Sequence, residues 1–533
     1  MDVDLIRGGT IVDGTGGAPF DANILIKDGR ISDVGHFPEH PEWRVLDAQG
    51  LLVTPGFIDV HSHSDFTLFV DPRAVSSITQ GVTLEIVGNC GHGCAPITDQ
   101  EMAKINIYGY HSDYAIPWRT IAEYLEALEA QKPAVNVVTL VPNGNLRLAT
   151  VGLAGRHANA DEIRRMRKLL EQGMEEGALG FSTGLEYGTE RGATEAEITE
   201  LCRSVGKAGG VYATHTRNEL GQAWETIDEA IRTSATAGVP LQISHIGVVA
   251  RLADDARRTV EQAMAQVEAA RVRGQNITFD MHTRDYGITN LSAVLPPWIT
   301  EGGKNSLEKR LRDPQVRKQL KVYPNIIVAE AQGRWDKMVL FECKAAPELS
   351  RRSIAEVAAE WRIEPLEAIY DILLAEIDHL HEVMVIELIY DESDLRLPFD
   401  HPSCMVGSDA TALATDGPLA GRCFHGAYTW ATWFLRHFVR ERKTLAIEQA
   451  VRRLTSLPAE TFGIRDRGVI RRGAWADLAI FDPLHLRDRG TIFEPNQIAE
   501  GMVHVLVNGK LSLRDGVMTG ERTGRIIRRG SQY

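Results

Sequence analysis

The chain has 533 residues, 44% of them hydrophobic, enough for a large core with smaller satellites. Its 58 Lys and Arg against 72 Asp and Glu leave a formal charge of −14, which repels nucleic acid phosphates and anionic membrane surfaces. No cationic stretch leads into an apolar run at the start, no run of 18 apolar residues occurs, and the six cysteines are too dispersed for a disulfide framework, so the expected setting is a reducing cytoplasm.

Residues 1–54 alternate polar and apolar over short stretches (DLIRGGTIVDG, ANILIKDGRISDVG, LLVT) separated by glycine-rich turns, which reads as small antiparallel strands. The far end, with ADLAIFDP and HVLVNGKLSLRDG, reads the same way, and the two ends together predict one small β-sandwich, from 1–54 and 466–533. Between them, over 55–465, short apolar runs alternate with amphipathic stretches such as 161–177 and 256–274, the pattern of a parallel α/β fold. The candidate strands are 57–63, 82–88, 135–141, 179–183, 211–216, 241–245, 276–281 and 404–410. Eight such units predict a closed (β/α)8 TIM barrel. The stretch 282–403 is too long for one connection and reads as an inserted, partly helical subdomain between the last two barrel strands.

Chemistry-bearing residues fall at the ends of these strands. His61 and His63, at i and i+2 of an extended segment, point to the same side. Cys90 follows the second strand, His215 and His245 end the fifth and sixth, and Asp409 lies near the end of the eighth. In a (β/α)8 barrel those ends converge on the face where active sites are built, and imidazole, thiolate and carboxylate are all zinc ligands.

The run PGFIDVHSHSD (55–65), THTRNE (214–219), QISHIG (242–247), GSDAT (407–411) and the closing DLAIFDP with VNGK resemble the amidohydrolase superfamily. GVTLEIVGNCG (81–91), LGFSTGLEYG (179–188) and 452–478 resemble its D-aminoacylase branch, the N-acyl-D-amino-acid deacylases. That resemblance implies a tight zinc on Cys90, His215 and His245, and a second, weaker site on His61, His63 and Asp409 with Cys90 able to bridge. It implies Asp409 as catalytic base. LGFST offers no lysine for the carboxylated-lysine bridge that many relatives use. Zinc lowers the pKa of a bound water to about 7 and polarises a carbonyl, so the expected reaction is hydrolysis of a linear amide of a small molecule. Asp409 would take the proton from water and return it to the departing nitrogen. A homo-oligomer is expected. Ring opening of a cyclic amide is a second enzyme reading, disfavoured by the missing lysine; a non-catalytic assembly protein is a third, disfavoured by retention of all six candidate ligands.

Three positions depart from the family where it recognises substrate. Gly247 stands where members have a lysine, Asp280-Met281-His282-Thr283-Arg284 replaces a segment with an oxyanion-holding tyrosine, and Trp430 stands in place of an arginine. With Tyr187, the residues expected to meet substrate are therefore His282, Arg284 and Trp430. Two cations are lost and an indole gained, which predicts a preference for neutral or aromatic amides over free N-acyl-D-amino acids. The alternative is that Arg284 supplies the missing charge and the substrate remains an N-acyl-D-amino acid.

Overall fold

The computed structural model describes residues 2–38, 40–217, 223–250, 253, 255–380, 382–388 and 392–530. Asn218 and Glu219 of the THTRNE motif and the final residues 531–533 lie outside this set.

Eight strands form one parallel sheet in chain order: β1 (Phe57–Asp59), β2 (Val82–Val87), β3 (Asn136–Pro142), β4 (Gly180–Gly184), β5 (Val211–His215), β6 (Leu241–Ile243), β7 (Ile277–His282) and β8 (Cys404–Gly407). The sheet closes through a parallel bridge between Ser62 and Ala410, supported by Asp409 N donating to His61 O at 2.9 Å and His63 N donating to Ala410 O at 2.8 Å. All eight expected strands are present, and the fold is a (β/α)8 barrel.

Strand side chains alternate between two environments, as the two-residue period requires. Ile58, Leu84, Ile86, Val138, Leu140, Ala213 and Met405 share one interior cluster with Leu457 and Phe462. Phe57, Val137, Phe181, Tyr212 and Phe279 instead join the larger cluster under the helices. Two of those helices start on side-chain caps: Asn159 accepts from the first turn of Ala160–Glu175, and Asp255 from Ala256–Val272. A segment near the carboxyl end runs beside the start of β3, where Val137 N donates to Arg525 O and Ile527 N to Val137 O, both at 2.9 Å.

Both chain ends contribute to a single nine-stranded sheet, in which Leu52–Pro55 pairs antiparallel with Leu478–Phe481. Its apolar face forms a separate cluster of Ile6, Ile24, Val53, Leu478, Ile480 and others. Between β7 and β8 the chain builds a three-stranded antiparallel sheet of Gly287–Asn290, Met384–Glu387 and Met338–Leu340, with several helices on a core of their own. Among the described residues no helix is long and apolar enough to cross a membrane.

Candidate metal centre and active site

Each candidate ligand leaves the barrel just as its strand ends. Three of them, Cys90 (φ 52°), His245 (φ 33°) and Asp409 (φ 47°), adopt left-handed backbone conformations that cost a non-glycine residue about 1–3 kcal/mol. Neighbouring hydrogen bonds enforce them. Gly91, next to Cys90, donates to Ser182 Oγ at 3.1 Å and accepts from Asn106 Nδ2 at 2.8 Å, while His245 N donates to Asp280 Oδ1 at 2.8 Å. These three left-handed residues lie where the side chains turn toward the cluster.

Cys90 Sγ lies 3.1 Å from His61 Nε2 and 3.6 Å from His245 Nε2. Asp409 Oδ1 lies 3.2 Å from His63 Nε2 and 3.6 Å from His61 Nε2. Tetrahedral zinc with bonds of about 2.0–2.3 Å keeps its donors roughly 3.3–3.8 Å apart; two of these four distances fall in that range and the other two lie slightly below it, and both groups have the donor chemistry of a zinc site. His61 belongs to both groups. Asp280 orients it by taking Nδ1 at 3.2 Å, which leaves Nε2 facing the other donors, and Gln242 Nε2 donates to the same carboxylate.

His215 sits one step aside from the grouping that the resemblance implies. Its ring packs against His245 with centroids 4.6 Å apart, and its Nε2 meets Glu186 Oε2 at 2.8 Å. Cys90 thus groups most closely with His61 and His245.

Burial alone would raise the Cys90 thiol, yet the His61 charge and hydrogen bonds from His215, His245 and His61 hold it well below its ordinary range, favouring the thiolate. Burial opposes ionisation of Asp409 as well, but the His63 hydrogen bond and the Arg284 charge hold its carboxyl well below the usual range. Burial and the Arg284 charge push His282 well below ordinary imidazole, so its ring is neutral.

Tyr187, His282 and Arg284 line a chamber of about 60 Å³ together with His63, His215, His245 and Asp409. A second cavity of about 280 Å³ lies between the barrel loops and the insertion, and the two share Tyr108, Tyr187, Thr289, Ile326 and Phe424 in their walls. Trp430 lines neither cavity. It opens the helix Trp430–Phe434 with its indole 2% exposed in the main apolar cluster, so the expected substrate contact is corrected to a packing role. At Gly247 an added Cβ would come within 3.0 Å of the Met281 side chain, so a lysine there would require Met281 to move.

Arg284 is enclosed. Nη1 donates to Ser408 O at 2.6 Å and His425 O at 2.8 Å, and Nη2 to Asp409 Oδ2 at 2.9 Å. His92 and Cys94 belong to no metal-binding group among the described residues; His92 Nδ1 bonds Cys90 O at 2.8 Å and Cys94 is buried.

Sequence reasoning passed over Glu186 and Asp280, which orient imidazoles, and Tyr108, Glu330, Glu387 and Phe424, which line the chamber. Glu186 was within reach, being the neighbour of Tyr187 in GLEYG. Tyr108 lies in an irregular loop whose pattern carries no signal.

The sequence profile of the Amidohydrolase family matches residues 44–308 and 355–512. The unmatched gap falls inside the insertion. An N-acyl-D-glutamate deacylase of Alcaligenes xylosoxydans xylosoxydans is 32% identical over 98% of this chain and 96% of the relative. A D-aminoacylase of the same organism is 31% identical over 98% and 97%. The crystal structure of an N-acyl-D-glutamate deacylase from Bordetella bronchiseptica, complexed with zinc and a phosphonate inhibitor mimicking the tetrahedral intermediate, is similar with a TM-score of 0.79, 29% identity, and coverage of 99% of this chain and 100% of that one. Fold, donor set and relatives define a metal-dependent hydrolase acting on carbon–nitrogen amide bonds other than peptide bonds. The chain belongs to the amidohydrolase family, in its D-aminoacylase branch.

Proposed function

We propose that the protein hydrolyses linear amides that are neutral or aromatic in preference to N-acyl-D-amino acids with a free carboxylate, using one tightly held zinc and a second, weaker metal position. Cys90, His215, His245, His61, His63 and Asp409 are the ligands in this reading. Zinc held there supplies a Lewis acid and an activated water. Asp409 accepts the proton of the attacking water through Oδ1 and returns it to the amide nitrogen, which must be protonated to leave. Tyr187, whose hydroxyl is 3.5 Å from His215 Nδ1, and the neutral His282 orient the substrate.

The observation that carries the substrate preference is the commitment of Arg284 to Asp409 and two backbone carbonyls. The same chamber holds the acidic side chains of Glu330 and Glu387 and a neutral His282. Among the described residues that line this chamber Arg284 is the one permanent cation, and it is already paired with Asp409, so a substrate carboxylate would lack a cation of its own. An unpaired buried charge costs about 3–5 kcal/mol, a loss of hundreds-fold or more in binding. The aromatic preference rests on Tyr108, Tyr187 and Phe424, which stand where the two cavities meet, in place of Trp430.

The test is kcat/KM, followed by amine release, for N-acyl-D-amino acids against their own methyl esters or primary amides. The neutral member of each pair should be much the better substrate. Superior turnover of the free acids would instead support conventional N-acyl-D-amino-acid deacylation, the reading favoured by the activities of the full-length relatives.

A further inference from the structure

We infer that Arg284 is a positioning residue for Asp409: seated in a backbone cradle, its guanidinium holds one carboxylate oxygen so that the other faces His61 and His63. The inference rests on the reading of Asp409 as the proton carrier.

The cradle is built for a planar fork. Two carbonyls, of Ser408 and His425, accept from Nη1, and Asp409 Oδ2 accepts from Nη2. Gly426 completes it, with φ +95° and an imagined Cβ only 2.3 Å from Nη1, so any side chain there would displace the guanidinium. Ser408, Asp409, His425 and Gly426 flank β8 and the loop beyond it, whereas Arg284 arrives from the end of β7. The ion pair therefore ties together two neighbouring barrel strands at the level of the reacting groups.

The partition of the Asp409 oxygens is what the pair achieves. The hydrogen bond from Asp409 N to His61 O fixes the main chain but leaves the side chain free to rotate. Binding Oδ2 to a fixed cation stops that rotation and leaves Oδ1 at 3.2 Å from His63 Nε2 and 3.6 Å from His61 Nε2. Charge-assisted hydrogen bonds are the strong, short class, and a lysine, as a compact point charge, does not present the fixed fork of donors that a guanidinium offers.

The experiment compares Arg284→Ala and Arg284→Lys with the parent protein, using whichever member of the acid and ester pair is turned over faster. Zinc content by elemental analysis should be unchanged and KM should move only a few-fold. A misplacement of about 1 Å costs roughly 10²-fold, so kcat should fall by that order in Arg284→Ala and remain reduced in Arg284→Lys. Added methylguanidinium should restore part of the Arg284→Ala loss, and ethylammonium should not. In a cycle with Asp409→Asn, removing Arg284 from the Asn variant should cost little further. If Arg284→Ala fails to fold, Arg284→Lys and its cycle with Asp409→Asn carry the test. Native kcat in both Arg284 variants, a loss confined to KM, or additive losses in the cycle would each overturn the inference. Native turnover in Asp409→Asn itself would instead remove Asp409 as proton carrier, a failure of the earlier reading.

Discussion

Glu186 Oε2 lies 2.8 Å from His215 Nε2, and both side chains are buried. The carboxylate fixes the imidazole so that Nδ1 faces Tyr187 and the Cys90 side of the cluster. Such outer partners of a metal-binding histidine set its tautomer and typically contribute 10–100-fold in metal affinity. Glu186→Gln should weaken zinc binding by about that factor while leaving the circular dichroism spectrum intact. Chelator competition provides the measurement, and an unchanged affinity would mean that His215 needs no such orientation.

Cys90 offers the one thiolate of the cluster, lies within ligand spacing of two imidazoles, and is buried. Purified protein should carry about one tightly held zinc per chain, because a thiolate with imidazoles binds zinc more strongly than imidazoles with a carboxylate. Cys90→Ala should lose most of that metal together with activity. Full zinc occupancy in the variant, measured by elemental analysis, would refute the ligand set.

Asp409→Asn should retain the fold and the tight zinc yet lose hydrolysis by roughly 10² to 10⁴-fold, the usual contribution of a positioned general acid–base group. Steady-state kcat alongside metal content separates this outcome from simple loss of zinc.

Trp430→Ala should behave as a core truncation. Removing a buried tryptophan costs about 3–5 kcal/mol, so the midpoint of denaturant unfolding should fall sharply while kcat and KM of the folded fraction stay close to native. A selective loss of aromatic substrates at native stability would return Trp430 to the substrate site.

Strand-end positions were legible because the alternating pattern and the barrel's geometry constrain them together: once β1 to β8 are read, His61, His63, Cys90, His215, His245 and Asp409 must approach one face. Alignment with a family arginine places Trp430 at the substrate site, whereas its helical spacing with Trp433 already favours packing. The Arg284 pairing was hidden, because its carboxylate partner Asp409 lies 125 residues away in sequence and its other acceptors are the backbone carbonyls of Ser408 and His425, which carry no side-chain signature. Cys90 groups with His61 and His245, and the positive φ values at Cys90 and His245 are not announced by either residue type.

The nine-stranded sheet has a kinetic consequence for the chain. Thr54 Oγ1 donates to Ala479 O across 425 residues, and barrel closure draws Ala412 N to Ser64 Oγ across 348. Neither junction can form until most of the polypeptide has emerged from the ribosome. Contacts this distant slow folding, although the entropy of closing such loops grows only logarithmically with length. Nascent chains arrested before residue 478 should therefore be protease-sensitive and chaperone-bound, and resistance should appear in one late step as Leu478–Phe481 docks beside Leu52–Pro55.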